Sequence, residues 1–267
     1  MKIQINKLLG NCDSLPAMPN VVVKALSIIK DESKGLKDLA NIIAYDQSLT
    51  TLVLKLVNSS YYGMPQQITS ITRAISLIGM LDVRNIVITV AMRPMLTSRG
   101  GKDLWTHSIK TAIATELIAK TTNIIDPNDA FVLGFLHDIG KIILNHSNPI
   151  VYNKIKTLAE KSKNIIEVEN LLLGASHTEV GFILAKKWQL PIVIANCIKY
   201  HHSPFNSSIP KVVSLVLYAD ILVNDSFDDN VNILSRMNKL TGIDVEYIKL
   251  LKSEIEEKSE ILFEECS

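Results

Sequence analysis

Cysteine is nearly absent: Cys12, Cys197 and Cys266 stand far apart, with no CxxC spacing. That excludes a disulfide framework and points to a reducing compartment. Glycine and proline are also sparse, at 11 and 9 of 267 residues, which leaves little room for disorder or low-complexity linkers. Net charge is missing as well. The formal charge is +1, so nothing electrostatic favours nucleic acid or an anionic membrane as a partner. No run approaches the ~18 uninterrupted apolar residues of a transmembrane helix. The stretch from Met1 to Lys7 lacks the apolar core and small-residue cleavage site of a secretory signal. The expectation is a soluble, cytoplasmic protein. Arginine is scarce too, and Arg236 is the only one from residue 100 onward. Forked recognition of phosphate in that half would fall to lysines or a metal.

What is there is a soluble globular composition, 47% hydrophobic and 21% charged, long enough to bury one large core or two smaller ones. Its periodicity is helical nearly throughout. Leu36, Leu39 and Ile43 mark one apolar stripe, and Leu49, Leu52, Val53 and Leu56 a second behind a cap at Asp46. Ser70 caps a third segment carrying Ala74, Ile75 and Ile78, which stops at Gly79; Val83, Ile86, Val87 and Val90 continue on a fourth. No alternating pattern bounded by hairpin turns predicts a strand, so the fold class expected is all-α. Paired glycines in Thr97-Ser98-Arg99-Gly100-Gly101-Lys102 mark the best boundary, giving an N-terminal helical bundle over residues 1–97. Beyond it, Asp126-Pro127 reads as a cap and first turn, Ser176-His177-Thr178-Glu179 has capping-box spacing, and Pro191 opens a helix running to His201-His202. The capping box places His177 at a helix rim, free to reach a ligand. Asp225 to Asn232 reads as a polar loop, and Asp244 to Glu265 as one charged, amphipathic final helix.

The segment Phe135-Leu136-His137-Asp138-Ile139-Gly140-Lys141-Ile142 sets an adjacent His-Asp pair inside an apolar helical run. Ionisable groups there are costly unless paired or bound. Neutral imidazole and carboxylate together suit divalent first-row cations. The plainer alternative is an Asp138–Lys141 ion pair beside a core histidine. Further polar landmarks follow in order: His107, 30 residues before His137; His177, 39 residues after Asp138; His201 and His202, 24 residues on; then Asp220. His201 and His202 at a helix C-terminus can alternatively serve the helix dipole as cations, and Asp220 can be a buried acid bonded to backbone. His146, just past the apolar helix, reads as a surface residue, and Trp105 and Trp188 as core. Asn58-Ser59 and Tyr61-Tyr62-Gly63 read as the close of a helix and its turn, or alternatively as a partner-binding surface.

The order His, His-Asp, His, His-His, Asp resembles the HD superfamily of metal-dependent phosphohydrolases. Ungapped signatures resemble the HDOD family, the HD-related output domains of bacterial signalling. In the N-terminal part these are Leu15-Pro16-Ala17-Met18-Pro19, Asp46-Gln47-Ser48-Leu49-Thr50, Val57-Asn58-Ser59-Ser60-Tyr61-Tyr62-Gly63 and Ala74-Ile75-Ser76-Leu77-Ile78-Gly79. Later come His177-Thr178-Glu179-Val180-Gly181, Lys187-Trp188-Gln189-Leu190-Pro191 and His201-His202-Ser203-Pro204. The likeness covers residues 10 to 225. It implies an all-helical fold in which the N-terminal bundle packs against an HD-like helical subdomain over residues 98–235, with a C-terminal helical extension over 236–267.

The same resemblance implies a regulatory role in bacterial signal transduction. Partners would be signalling proteins that supply input or receive output, and a phosphorylated small-molecule ligand; neither nucleic acid nor membrane is expected. If metals bind, His107, His137, Asp138 and Asp220 form one site, and His177, His201 and His202 a second bridged by Asp138. One or two divalent ions of iron, manganese or zinc would suit this set, with Asp103, one turn before His107, as a further carboxylate. In an enzyme of this kind Asp138 would sit at the metals that activate water, and Lys141 would neutralise phosphate as a point charge. The related HD-GYP family hydrolyses cyclic di-GMP with a similar ligand order. This chain lacks the GYP element and carries Ser203 where that family places a glutamate after the paired histidines. The expectation is therefore a regulatory module with a retained metal site. A metal-dependent phosphohydrolase acting on a nucleotide or cyclic dinucleotide is the alternative.

Overall fold

Side-chain caps start several of the helices where the sequence signals them. In the computed structural model, which describes residues 17–27, 35–98, 101–162 and 164–266, the Asp46 carboxylate accepts the Leu49 N–H at 3.0 Å. The Ser70 hydroxyl accepts the Arg73 N–H at 3.3 Å, and Asp126 accepts the Asn128 N–H at 2.8 Å just ahead of Pro127. Each satisfies a donor that the first helical turn leaves without an internal partner. Cys12, Leu15-Pro16 and Arg99-Gly100 lie outside the described residues.

Among the described residues there are sixteen α-helices and no strand, as the periodicity predicts. The first five are α1 (Asn20–Ser27), α2 (Leu36–Ala44), α3 (Gln47–Val57), α4 (Ile71–Ile78) and α5 (Met80–Thr97). Helix α5 is buried along most of its length, so α1 to α4 pack around it. The segment after α3 folds back on Asn58, whose amide accepts the Ile68 N–H at 2.7 Å and donates to the Ile68 carbonyl at 2.8 Å. Asn58 and Ser59 thus close the helix and bond the turn, the structural reading of that motif.

The next group comprises α6 (Lys102–Lys120), α7 (Pro127–Leu136), α8 (Gly140–Ser147), α9 (Pro149–Ser162), α10 (Ile165–Leu173), α11 (His177–Lys187), α12 (Ile192–Tyr200) and α13 (Pro210–Val223). Helix α6 is the hub, packed against α7 on one side and α13 on another. The α6–α7 crossing is tight: a Cβ at Gly134 would stand 2.4 Å from Thr115 Oγ1 and 2.6 Å from the Thr111 carbonyl. Trp105 is buried edge-on against Phe135, and Trp188 is half-buried against the same core.

Two boundaries differ from expectation. A 3-10 turn (Asp228–Asn230) occupies the polar loop, and α14 (Val231–Thr241) already begins within it. The final helix is two, α15 (Val245–Leu250) and α16 (Lys252–Cys266), because Asp244 caps the first and the chain tightens to an i→i+3 bond at Leu251. Helix α16 lies against both α6 and α3, so the last segment touches both groups. No described helix is long and apolar enough to cross a membrane.

Candidate metal centre

The His-Asp pair does not lie inside a helix. Helix α7 ends at Leu136 and α8 begins at Gly140; between them the backbone keeps helical angles but switches to i→i+3 bonds, Ile139 N–H to Leu136 O and Lys141 N–H to Asp138 O. This tight turn sets His137 and Asp138, both fully buried, at the meeting point of four other elements. His107 comes from the middle of α6, His177 from the first residue of α11, His201 and His202 from the end of α12, and Asp220 from the last turn of α13.

All seven residues that the sequence singles out as ligands converge. His107 Nε2 lies 3.3 Å from His137 Nε2, 3.4 Å from Asp138 Oδ2 and 3.1 Å from Asp220 Oδ1. On the other side of the same carboxylate, Asp138 Oδ1 lies 3.2 Å from His177 Nε2 and 3.6 Å from His201 Nε2. Three overlapping donor sets result, His107–His137–Asp220, His137–Asp138–His201 and His177–His201–His202, each with atoms within 4.8 Å of one another. Asp138 stands between the groups, and its second oxygen also takes the Lys141 ammonium.

The imidazoles are held in one orientation by their far nitrogens. His137 Nδ1 donates to the Gly134 carbonyl at 2.7 Å, His201 Nδ1 to the Ile198 carbonyl at 3.0 Å, and His177 Nδ1 to the Glu169 carboxylate at 2.7 Å. Carbonyl and carboxylate oxygens only accept, so these contacts fix Nδ1 as the protonated nitrogen. In neutral imidazole the Nε2 lone pairs of all three then face one another and Asp138. Lone pairs at such distances repel unless a cation lies among them. Asp138 Oδ1 and His202 Nε2, both buried, have no hydrogen-bond partner. This donor set, imidazole nitrogen and carboxylate oxygen without sulfur, fits a divalent first-row ion.

Charge follows the same geometry. Burial opposes protonation of His107, yet hydrogen bonds to Asp138 and Asp220 push it up to about 9. Burial drives His201 down to about 4 and His202 well below the usual imidazole range, so both stay neutral at physiological pH. They are therefore neutral imidazoles rather than cations for the dipole of α12. Burial also opposes ionisation of Asp220 and Asp138. The His107 contact nonetheless holds Asp220 below the ordinary carboxylate range, and the neighbouring His137 together with the Lys141 ammonium does the same for Asp138.

Three other readings change. His177 is not at a rim: it is fully buried, because α8 packs against the first turn of α11 and Glu169 of α10 bonds its ring. Asp103 stands apart from the donor sets, its side chain exposed and 3.4 Å from Lys156. His146 is half-buried and lines a cavity of about 320 Å³ that also takes in His107 and Lys141. Leu96, Leu104, Ile142 and Ile165 supply its apolar wall, Tyr152 and Lys156 part of its polar one. Glu169 was missed. Its position on α10 reads in sequence as an ordinary polar place between apolar ones, and only the fold brings it to His177.

Comparison with known proteins agrees with this architecture. The HDOD domain model matches residues 15–204, and the chain belongs to the HDOD family. A solved HDOD domain protein of unknown function from Geobacter sulfurreducens superimposes with a TM-score of 0.79 at 26% identity, over 97% of this chain and 96% of that one. A candidate phosphohydrolase from Shewanella amazonensis SB2B shares the fold, with a TM-score of 0.78 at 23% identity over 97% and 98%. An uncharacterized protein of Treponema pallidum (strain Nichols) is 27% identical over 197 residues, 72% of this chain. The chain spans only 38% of that relative's length.

Proposed function

We propose that this chain is a regulatory output module of bacterial signalling, acting through bound protein or ligand partners, whose His–Asp centre holds one or two divalent ions of iron, manganese or zinc. The observation that carries the metal is the convergence of three imidazole lone pairs on the two oxygens of Asp138, with Asp138 Oδ1 and His202 Nε2 buried and unbonded. His107, His137, Asp138 and Asp220 would hold one ion, and His177, His201 and His202 a second, with Asp138 shared. A bound ion would supply Lewis acidity and a more acidic water. Among the described residues no arginine lines the neighbouring cavity, which supports binding over phosphoryl-transfer catalysis.

Elemental analysis of protein purified without a histidine tag, beside the His137→Ala/Asp138→Ala variant, tests the reading. Near-stoichiometric metal is expected in the wild type and none in the variant. Removing metal with a chelator should also lower stability, by about 2.7 kcal/mol relative to protein in metal at a hundredfold excess over Kd. Wild-type protein that takes up no metal even under anaerobic reconstitution would sink the proposal.

One observation favours a second reading, a phosphohydrolase acting on a nucleotide or cyclic dinucleotide. The cavity at His107 and Lys141 falls at the small end of the roughly 300–1,000 Å³ of ligand pockets, so a small molecule can reach the centre. There the Lys141 ammonium would meet a phosphate as a point charge. Turnover of phosphodiesters by manganese-loaded protein, lost in Lys141→Met, would establish it; no turnover with full metal occupancy would leave the regulatory reading standing.

A further inference from the structure

Glu169 has no exposed surface, and a single oxygen of it does all the bonding. Oε2 accepts the backbone N–H of His177 at 2.8 Å and the ring Nδ1–H of the same residue at 2.7 Å, while Oε1 has no hydrogen-bond partner. No lysine or arginine pairs with this carboxylate among the described residues. A buried carboxylate left without a counter-charge is costly. The Ser176–Glu179 capping box leaves the His177 N–H to Glu169, but one neutral acceptor oxygen would satisfy that donor, so capping alone does not account for a buried carboxylate. The counter-charge must come through the imidazole.

We infer that Glu169 is the positioning residue of the metal centre: it fixes the His177 tautomer and supplies negative charge that strengthens His177 as a ligand. The inference rests on the metal reading above and adds a residue outside its donor sets. A carboxylate behind a ligating imidazole orients the ring and raises its basicity. Here the ring turned by Glu169 brings Nε2 to 3.2 Å from both Asp138 Oδ1 and His201 Nε2, the junction of two donor sets. Formal charge agrees in size. Once an ion displaces the proton that His107 otherwise holds, Asp138, Asp220 and Glu169 against Lys141 leave two negative charges, the complement of one divalent ion.

The experiment compares full-length wild type, Glu169→Gln and Glu169→Ala, each titrated with zinc against a chromophoric competitor. The nitrogen-15 signals of His177 are also recorded in the metal-free proteins, assigned with His177→Gln. Glu169→Gln keeps the volume and an acceptor oxygen but removes the charge. Its zinc affinity should fall about 10- to 100-fold while the metal-free melting temperature stays near that of the wild type. In Glu169→Ala the His177 proton should leave Nδ1 for Nε2. Zinc affinity of Glu169→Gln within twofold of wild type, in a wild type that binds zinc, would overturn the inference and spare the metal reading. A wild type that binds none of zinc, manganese and iron would sink the metal reading; the tautomer then decides the positioning role by itself. His177 still protonated at Nδ1 in Glu169→Ala would overturn that role too.

Discussion

Adding one methyl group at position 140 should destabilise this protein by about 3 kcal/mol or more, a cost reserved for core overpacking without relief. A Cβ on Gly140 would stand 1.9 Å from the His177 carbonyl oxygen, 2.7 Å from Gly181 N and 2.8 Å from His177 C. All three are backbone atoms, so no side-chain rotation relieves the clash, and α8 must lift from the first turn of α11. That turn carries His177, so the same displacement opens the centre between Asp138 and His177. The sign is diagnostic, because Gly→Ala within a helix ordinarily stabilises by roughly 0.5–1 kcal/mol. Urea denaturation of Gly140→Ala beside Gly35→Ala is the measurement, since a Cβ at Gly35 meets nothing within 4 Å. Gly140→Ala as stable as the wild type would show that the α8–α11 contact is looser than described.

Much of the architecture was legible because its signals are local. Asp46, Ser70, Asp126 and Ser176 cap the helices they announce, and apolar residues recur at helical spacing with no strand pattern to compete. The seven ligand candidates were legible as well, since clustered histidine and aspartate in apolar helices has few structural uses. What was hidden is whatever depends on which helix lies against which. Gly140 looks like the small residue of a motif, and its reason is the backbone of α11, 1.9 Å from where a Cβ would stand. His177 carries a correct capping-box signal, yet the box says only that a helix starts there, and the fold then packs α8 against it. The final helix broke in two at Leu251, where no glycine or proline gives warning. Glu169 and His146 had no periodic signal, for they acquire meaning only as neighbours of His177 and of the cavity.

Removing the carboxylate of Asp129 should cost more than removing the arginine it pairs with. Arg84, on α5, is a fully buried side chain whose guanidinium reaches Asp129 Oδ1 at 2.9 Å and the Asn128 carbonyl at 3.1 Å, both on the first turn of α7. Asn85 completes the set, accepting from Arg84 Nε at 3.1 Å and Nη2 at 3.0 Å while its own amide donates to the Asn128 carbonyl at 3.0 Å. This network ties the N-terminal bundle to the helix that leads into His137. Its two charges are not equally placed, for the Asp129 side chain is 32% exposed and that of Arg84 not at all. Asp129→Ala strips a buried guanidinium of its paired carboxylate, leaving only the more distant Asp126 and Asp82, and a loss of about 3–5 kcal/mol is expected. Arg84→Met leaves a carboxylate that water can reach and fills the arginine's channel with an apolar stem, for an expected loss of about 1–2 kcal/mol. The double variant should then be more stable than Asp129→Ala alone, because the stranded charge is gone. Urea unfolding of the three proteins measures this order directly. Arg84→Met as damaging as Asp129→Ala would mean that hydrogen bonding to Asn85 and Asn128, rather than charge pairing, joins the two helical groups.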